Sequence, residues 1–212
     1  MSRGRFITLE GGEGAGKTEQ TARLCAALER RGIETLSTRE PGGSPGAEEI
    51  RRLLVSGPVQ RWEPLAEAML HAAARRDHLL HTIEPALERG LWVVSDRFVD
   101  SMIVYQGYGQ GADLDVLDRL SVLSLGGFAP DLTVVLDIPV AEGLRRAGAR
   151  TDSNRYERMG ADFHERVRQG FLARVRADER RCAMVDATAD LETVSRAILE
   201  IVAARLPVSF DE

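Results

Sequence analysis

Residues 11–18 read Gly11-Gly12-Glu13-Gly14-Ala15-Gly16-Lys17-Thr18, the pattern G-x-x-x-x-G-K-[ST]. Residues of these types at this spacing can hold a polyphosphate. Glycines let the backbone close around phosphate oxygens, and the free N–H groups and dipole at a helix start favour the anion. Lys17 is the only lysine in the chain. It stands where a compact ammonium can reach β- and γ-phosphates and where a planar arginine fork is not wanted. The Thr18 hydroxyl is a ligand for Mg²⁺, an ion that bridges β- and γ-oxygens as charge moves during phosphoryl transfer.

A second set of charged residues follows the apolar run Leu91-Trp92-Val93-Val94-Ser95. Asp96 is the candidate for the metal side of the site, directly or through water, and Arg97 can clamp a phosphate with two parallel hydrogen bonds. The alternative for this pair is a capped helix start with a structural ion pair. Other arginines recur at Arg39 in Thr38-Arg39-Glu40-Pro41-Gly42-Gly43, at Arg75 and Arg76, and through an Arg-rich segment spanning 145–158. That distribution suits a site where two polyanions must approach each other against mutual repulsion. With one lysine already used, no N-K-x-D guanine signature can occur.

These residues need a scaffold that gathers them at one edge. Short apolar runs at 5–10, 33–38, 91–95, 131–137 and 182–186 predict five strands, and Thr133-Val134-Val135-Leu136 lacks alternation, as in a parallel sheet covered on both faces. Thr21, Leu24, Cys25 and Leu28, and later Leu191, Val194, Ile198, Ile201 and Val202, form helical apolar stripes. Pro64 suits a first helical turn and Gly90 a helix stop, so most of 63–89 is predicted helical, with a local disruption at Pro85. The alternation of strand and helix predicts an α/β doubly wound fold, a P-loop domain of the NTPase type over 1–212, with the phosphate loop opening its first helix.

Composition narrows the remaining classes. With 212 residues, one α/β domain is expected. A net charge of −5 argues against broad nucleic-acid or anionic-membrane binding. No apolar stretch reaches bilayer length and no secretory signal is read at the N-terminus, so the cytoplasm is the expected compartment. Cys25 and Cys182, far apart in apolar settings, are expected to be buried thiols.

The sequence resembles bacterial thymidylate kinases, collinearly over nearly the whole chain. The matching segments are Ile7-Thr8-Leu9-Glu10-Gly11 with the phosphate loop, Thr38 to Gly43, Asp96-Arg97-Phe98, Tyr105-Gln106-Gly107, Pro130-Asp131-Leu132-Thr133 leading to Leu136-Asp137, and Asp186-Ala187-Thr188. The resemblance implies a five-stranded parallel sheet with flanking helices, an Arg-rich lid over about 145–158, a homodimer, and transfer of the γ-phosphoryl group of ATP to dTMP with Mg²⁺. Carried over by position, it implies that Gly11 to Thr18 bind ATP and that Glu13 faces the deoxyribose 3′-hydroxyl. Arg39, Arg75 and Arg97 would line the nucleotide-monophosphate side. Ser101, Tyr105 and Gln106 would surround sugar and base, and the backbone near Ala187 and Thr188 would border adenine. Ordinary alternatives are a solvated helix face for Arg75, a core position for Tyr105, a loop polar group for Gln106 and a turn for Glu13.

Family members carry the catalytic arginine either in the phosphate loop or in the lid. This loop has no arginine, so the chain resembles the lid class, with Arg155 in Asn154-Arg155-Tyr156-Glu157 ranked first and Arg150 second. Three positions depart from the family's pattern. His71 replaces a phenylalanine that stacks on thymine, Gln110 replaces an arginine, and Glu19 replaces a small hydroxyl residue. Imidazole can still stack, so His71 is expected to take that role. No general base is expected, because the second phosphate pKa of the acceptor is near ~6 and its oxygen is already nucleophilic at neutral pH. Another nucleotide or deoxynucleoside kinase, or an ATP-dependent switch without turnover, remains the alternative reading.

Overall fold

Successive side chains of a strand enter opposite faces of its sheet, and here both faces are apolar. Ile7 and Leu9 join one core while Phe6 joins another; Val94 and Val93 divide in the same way. A computed structural model describes residues 3–148 and 154–210. Its strands are β1 (Phe6–Gly11), β2 (Thr35–Arg39), β3 (Trp92–Asp96), β4 (Leu132–Asp137) and β5 (Cys182–Asp186), with ends shifted from the apolar runs by at most two residues. They pair in parallel in the order β2-β3-β1-β4-β5.

The first face is covered by α1 (Lys17–Arg30) and α9 (Leu191–Arg205), whose Leu24, Leu28, Val194, Ile198 and Val202 pack on Leu9, Val134 and Leu136. These are the predicted stripes, except that Leu191, at the start of α9, stays 40% exposed. Cys25 and Cys182 are free, buried thiols. On the opposite face lie α3 (Pro64–His78), α4 (Glu84–Glu88), α5 (Val99–Met102) and α6 (Leu114–Leu125). α3 is capped by Glu63, whose carboxylate accepts the N–H groups of Leu65 and Ala66, and begins with Pro64. The disruption predicted at Pro85 occurs just before it, as a π-helical turn at Leu79–Ile83 in which the Glu84 N–H reaches the Leu79 carbonyl. A longer π-helical segment, Ile103–Gly109, carries Tyr105 and Gln106.

From β1 the chain passes through α1 to β2 at one edge; from β3 it crosses to β4 on the other side of β1. The carboxyl ends of β1 and β3 therefore form the point where chain direction across the sheet reverses, the place where open α/β sheets bind ligands. Register completes the arrangement: Asp96 pairs with Leu9 on one side and Arg39 on the other. Phosphate loop, Asp96, Arg97 and Arg39 thus meet along one rim. Among the described residues no helix is long and apolar enough to cross a membrane.

Candidate active site

The loop between β1 and α1 lies close against the start of α7 (Val140–Ala147). A Cβ on Gly14, at φ 70°, would stand 1.9 Å from the Gly143 carbonyl, so only glycine allows this approach. Lys17 Nζ donates to the carbonyls of Gly11 at 3.1 Å and Gly12 at 2.7 Å. Burial, aided by Arg97 and opposed by Asp96 and Glu13, pushes its pKa down to about 8. Ala15 turns into the core, and Thr18 Oγ1 donates to Asp96 Oδ2 at 2.6 Å. An all-oxygen pair of hydroxyl and carboxylate beside a phosphate loop fits Mg²⁺, which keeps waters and takes phosphate oxygens as its other ligands.

Arg97 joins the carboxyl ends of β1 and β3. Its φ of 72° puts a non-glycine residue in the left-handed region, a conformation that costs about 1–3 kcal/mol and persists where the surroundings impose it. Nη1 donates to the Gly11 carbonyl at 2.9 Å and to Ser101 Oγ at 3.0 Å, and Nη2 donates to Glu13 Oε1 at 3.1 Å and the Tyr105 hydroxyl at 2.9 Å. Tyr105 in turn donates to Glu13 at 2.9 Å. Burial works to raise the Glu13 carboxyl, but Arg97, Lys17 and the Tyr105 hydrogen bond together hold it below the usual range. Tyr105 stands on a firm base, its ring edge-on to Tyr156, Phe163 and Phe171.

Next to Arg97, Ser101 donates to Glu10, which also accepts the Phe98 N–H at 2.8 Å; burial, reinforced by Asp100, lifts Glu10 to about 7. Arg75 is fully buried, with Nε on Glu40 at 2.8 Å and Nη2 on the Phe98 carbonyl at 3.3 Å, which excludes the solvated-helix alternative. His71 meets the Tyr156 hydroxyl at 2.9 Å, and burial, together with Arg75 and Arg155, pushes its pKa down to about 3. Gln106 is fully buried, and its side-chain oxygen has no partner among the described residues. Arg39 remains 53% exposed and reaches Glu48 at 3.0 Å.

One cavity of about 520 Å³ joins these groups, bringing Glu13, Gly14, Gly16, Lys17, Thr18, Asp96 and Arg97 together with Arg39, His71, Arg75, Ser101, Tyr105 and Gln106. Ala187 and Thr188 lie outside it beyond β5, where their carbonyls accept from Arg146 at 2.9 and 3.3 Å. Of the departures, Glu19 forms an exposed helix pair with Arg23, and Gln110 Nε2 donates to Glu67 at 2.9 Å.

Arg155 was expected to meet the transferring phosphoryl group, and it does not line the cavity. Its side chain is fully buried outside the cavity, with Nε on the Leu54 carbonyl at 3.0 Å, Nη1 on the Val59 carbonyl at 2.9 Å and Nη2 paired with the equally buried Glu67. The physical reason is Glu67: a carboxylate without access to water requires a counter-charge, and Arg155 supplies it. Arg150 and residues 149–153 of the lid segment lie outside the described residues. Four participants had been missed. Arg51, donating to the Pro41 carbonyl at 2.6 Å, and Glu40 line the cavity, as does Tyr156, while Glu67 stands behind it. Nothing local marks Arg51 or Glu67, whereas Glu40 and Tyr156 sat inside motifs read for their arginine neighbours.

Comparison with known proteins points to one family. The sequence model of the family described as thymidylate kinase matches residues 9–198. The chain is 48% identical over 206 residues to a thymidylate kinase of Caulobacter vibrioides, covering 97% of this chain and 99% of that protein. It is 48% identical over 207 residues to one of Afipia carboxidovorans, covering 96% and 91%. The crystal structure of thymidylate kinase from Ehrlichia chaffeensis superposes with a TM-score of 0.76 at 32% identity, covering 94% of this chain and 99% of that one.

Proposed function

We infer the workings of the site from one premise: the chain belongs to the thymidylate kinase family and transfers the γ-phosphoryl group of ATP to dTMP, giving dTDP and ADP. The assignment of roles rests on the single cavity in which a phosphate loop and a second set of arginines face each other. ATP phosphates take the loop from Gly11 to Thr18. Lys17, already turned toward the loop carbonyls, meets the β- and γ-oxygens. Thr18 and Asp96 would hold Mg²⁺, which when bound would neutralise charge on the β- and γ-phosphates. The Ala187 and Thr188 backbone borders adenine, with Arg146 against it.

dTMP occupies the other half. Arg97, fastened by four hydrogen bonds, and Arg39, half-exposed at the rim, receive its phosphate, and Glu13 meets the 3′-hydroxyl. Tyr105 and Ser101 border the sugar. His71, Arg75 and the orphaned Gln106 oxygen meet the base, an acceptor that suits the N3–H of thymine. Because the acceptor oxygen is ionised at neutral pH, these residues position and neutralise and do not abstract a proton. With Arg155 engaged by Glu67, the lid contribution falls to Arg150.

The enzyme is read as one cytoplasmic catalytic unit acting as a homodimer, with no nucleic acid or membrane partner. Val122 and Leu123 on α6 are 67% and 80% exposed, and Met69 on the adjoining α3 is 54% exposed; such apolar side chains support self-association. A coupled assay with ATP and Mg²⁺ across dTMP, dUMP, dCMP, AMP and thymidine tests the substrate assignment. dTMP should be fastest, and faster turnover of AMP or thymidine would overturn it.

A further inference from the structure

Glu67 lies fully buried in the first turn of α3, with donors on every side. Its Oε1 accepts from Gln106 Nε2 at 2.7 Å, from the Tyr156 hydroxyl at 2.8 Å and from Gln110 Nε2 at 2.9 Å, while Oε2 faces Arg155. With three donors at Oε1 and a guanidinium at Oε2, both oxygens serve as acceptors.

That polarity propagates outward. Tyr156 has one hydroxyl proton, which goes to Glu67, so in its 2.9 Å contact with His71 the imidazole Nε2–H is the donor. Burial and the fields of Arg75 and Arg155 keep the ring neutral, so Nδ1 carries a lone pair with no hydrogen-bond partner among the described residues. Gln106 is fixed in the same way. Turning its amide over would set oxygen against the Glu67 carboxylate, so its Nε2 stays inward and its oxygen is the end left without a partner.

We propose that Glu67 is the positioning residue of the base wall: through Tyr156 it holds His71 as one tautomer in one orientation, and directly it holds Gln106 with its oxygen free. The wall's polarity is thereby set by a carboxylate that touches no substrate. A flat neutral ring and a fixed acceptor favour a base whose ring nitrogen carries hydrogen, and disfavour cytosine, which offers a lone pair there. This rests on the reading that the dTMP base lies against His71.

The test combines imidazole nitrogen NMR with steady-state kinetics on the full chain. In the parent enzyme His71 should appear as the Nε2–H tautomer, neutral from pH 5 to 8 in keeping with a pKa of about 3, with resonances that move when dTMP is added. Tyr156→Phe should release the tautomer and raise the dTMP KM roughly three- to tenfold, the effect of one hydrogen bond, with the ATP KM held within about twofold. Glu67→Gln, whose amide can also donate, should lower the dTMP to dCMP ratio in kcat/KM by a similar factor. An Nδ1–H tautomer in the parent, or unchanged tautomer and KM in Tyr156→Phe, would overturn the proposal while leaving base placement intact. Resonances indifferent to dTMP would overturn both.

Discussion

Arg155→Ala separates two roles for this arginine, an anchor for a buried carboxylate or a hand on the moving phosphoryl group. Both members of the Arg155–Glu67 pair are fully buried. Removing one partner of such a pair leaves an uncompensated buried charge and costs about 3–5 kcal/mol. The carbonyls of Leu54 and Val59 lose their donors as well, which keeps the expectation toward the upper end. For a chain of this size about 2–4 °C of Tm is lost per kcal/mol, so Tm should fall by about 6–20 °C. Arg52→Ala is the control, because its contact with Glu49 is 3.9 Å long and three-quarters exposed, and such pairs contribute about 0–1 kcal/mol. Thermal unfolding with and without urea reads the loss, and turnover is measured well below the lowered Tm. A Glu67→Ala, Arg155→Ala cycle should show strong coupling. If Tm stays within about 2 °C of the parent while kcat falls roughly a thousandfold, the loss expected for an arginine finger, the anchoring argument is refuted.

Lys17→Ala should nearly abolish transfer with the fold retained, since the charge lies in the phosphate loop; near-normal turnover would refute the loop assignment. In the parent enzyme Lys17 titrates at about 8, so it loses its charge as pH rises through that value and kcat/KM for ATP should fall above it. Saturating ATP favours the charged form, so kcat should persist to higher pH; parallel decline of both would show that another group controls the profile. Leu123→Asp, at 80% exposure, should shift sedimentation toward monomer without lowering the stability of the isolated subunit, and an unchanged sedimentation coefficient would remove α6 from the subunit contact.

β1, β3 and β4 were legible because strands buried on both faces are largely apolar, and the helix stripes because α1 and α9 together cover one face. The phosphate loop was legible because its glycines answer a local demand of backbone geometry. Glu67 was not. In sequence it is an acid in the first turn of a helix, where an exposed carboxylate is expected for the dipole alone. Its burial depends on Gln106, Gln110, Arg155 and Tyr156, which come from 39 to 89 residues away. The partner of Arg155 was hidden for the same reason: an arginine within a basic run looks available until the carboxylate beside it is located. His71 was read for its ring, and the ring does line the cavity; its tautomer followed only from the Tyr156 contact.

An acid in a loop built for anions calls for its own explanation. Glu13 lies between two sites that each receive phosphate, so its Coulombic effect on either substrate is unfavourable. What it supplies is the direction of Arg97. The guanidinium is held at one nitrogen by Gly11 and Ser101 and at the other by Glu13 and Tyr105, and Tyr105 is itself fixed by its hydrogen bond to Glu13. An arginine on a backbone at φ 72° and without those anchors could adopt several rotamers, and each would have to be abandoned when phosphate binds. A fixed cation costs little reorganisation at the moment charge shifts, which is where electrostatic catalysis gains its advantage. Neutralising Glu13 would raise the positive charge of the site and also loosen its best-placed arginine. Because Arg97 spans the ends of β1 and β3, that loss would reach the ATP and dTMP halves together.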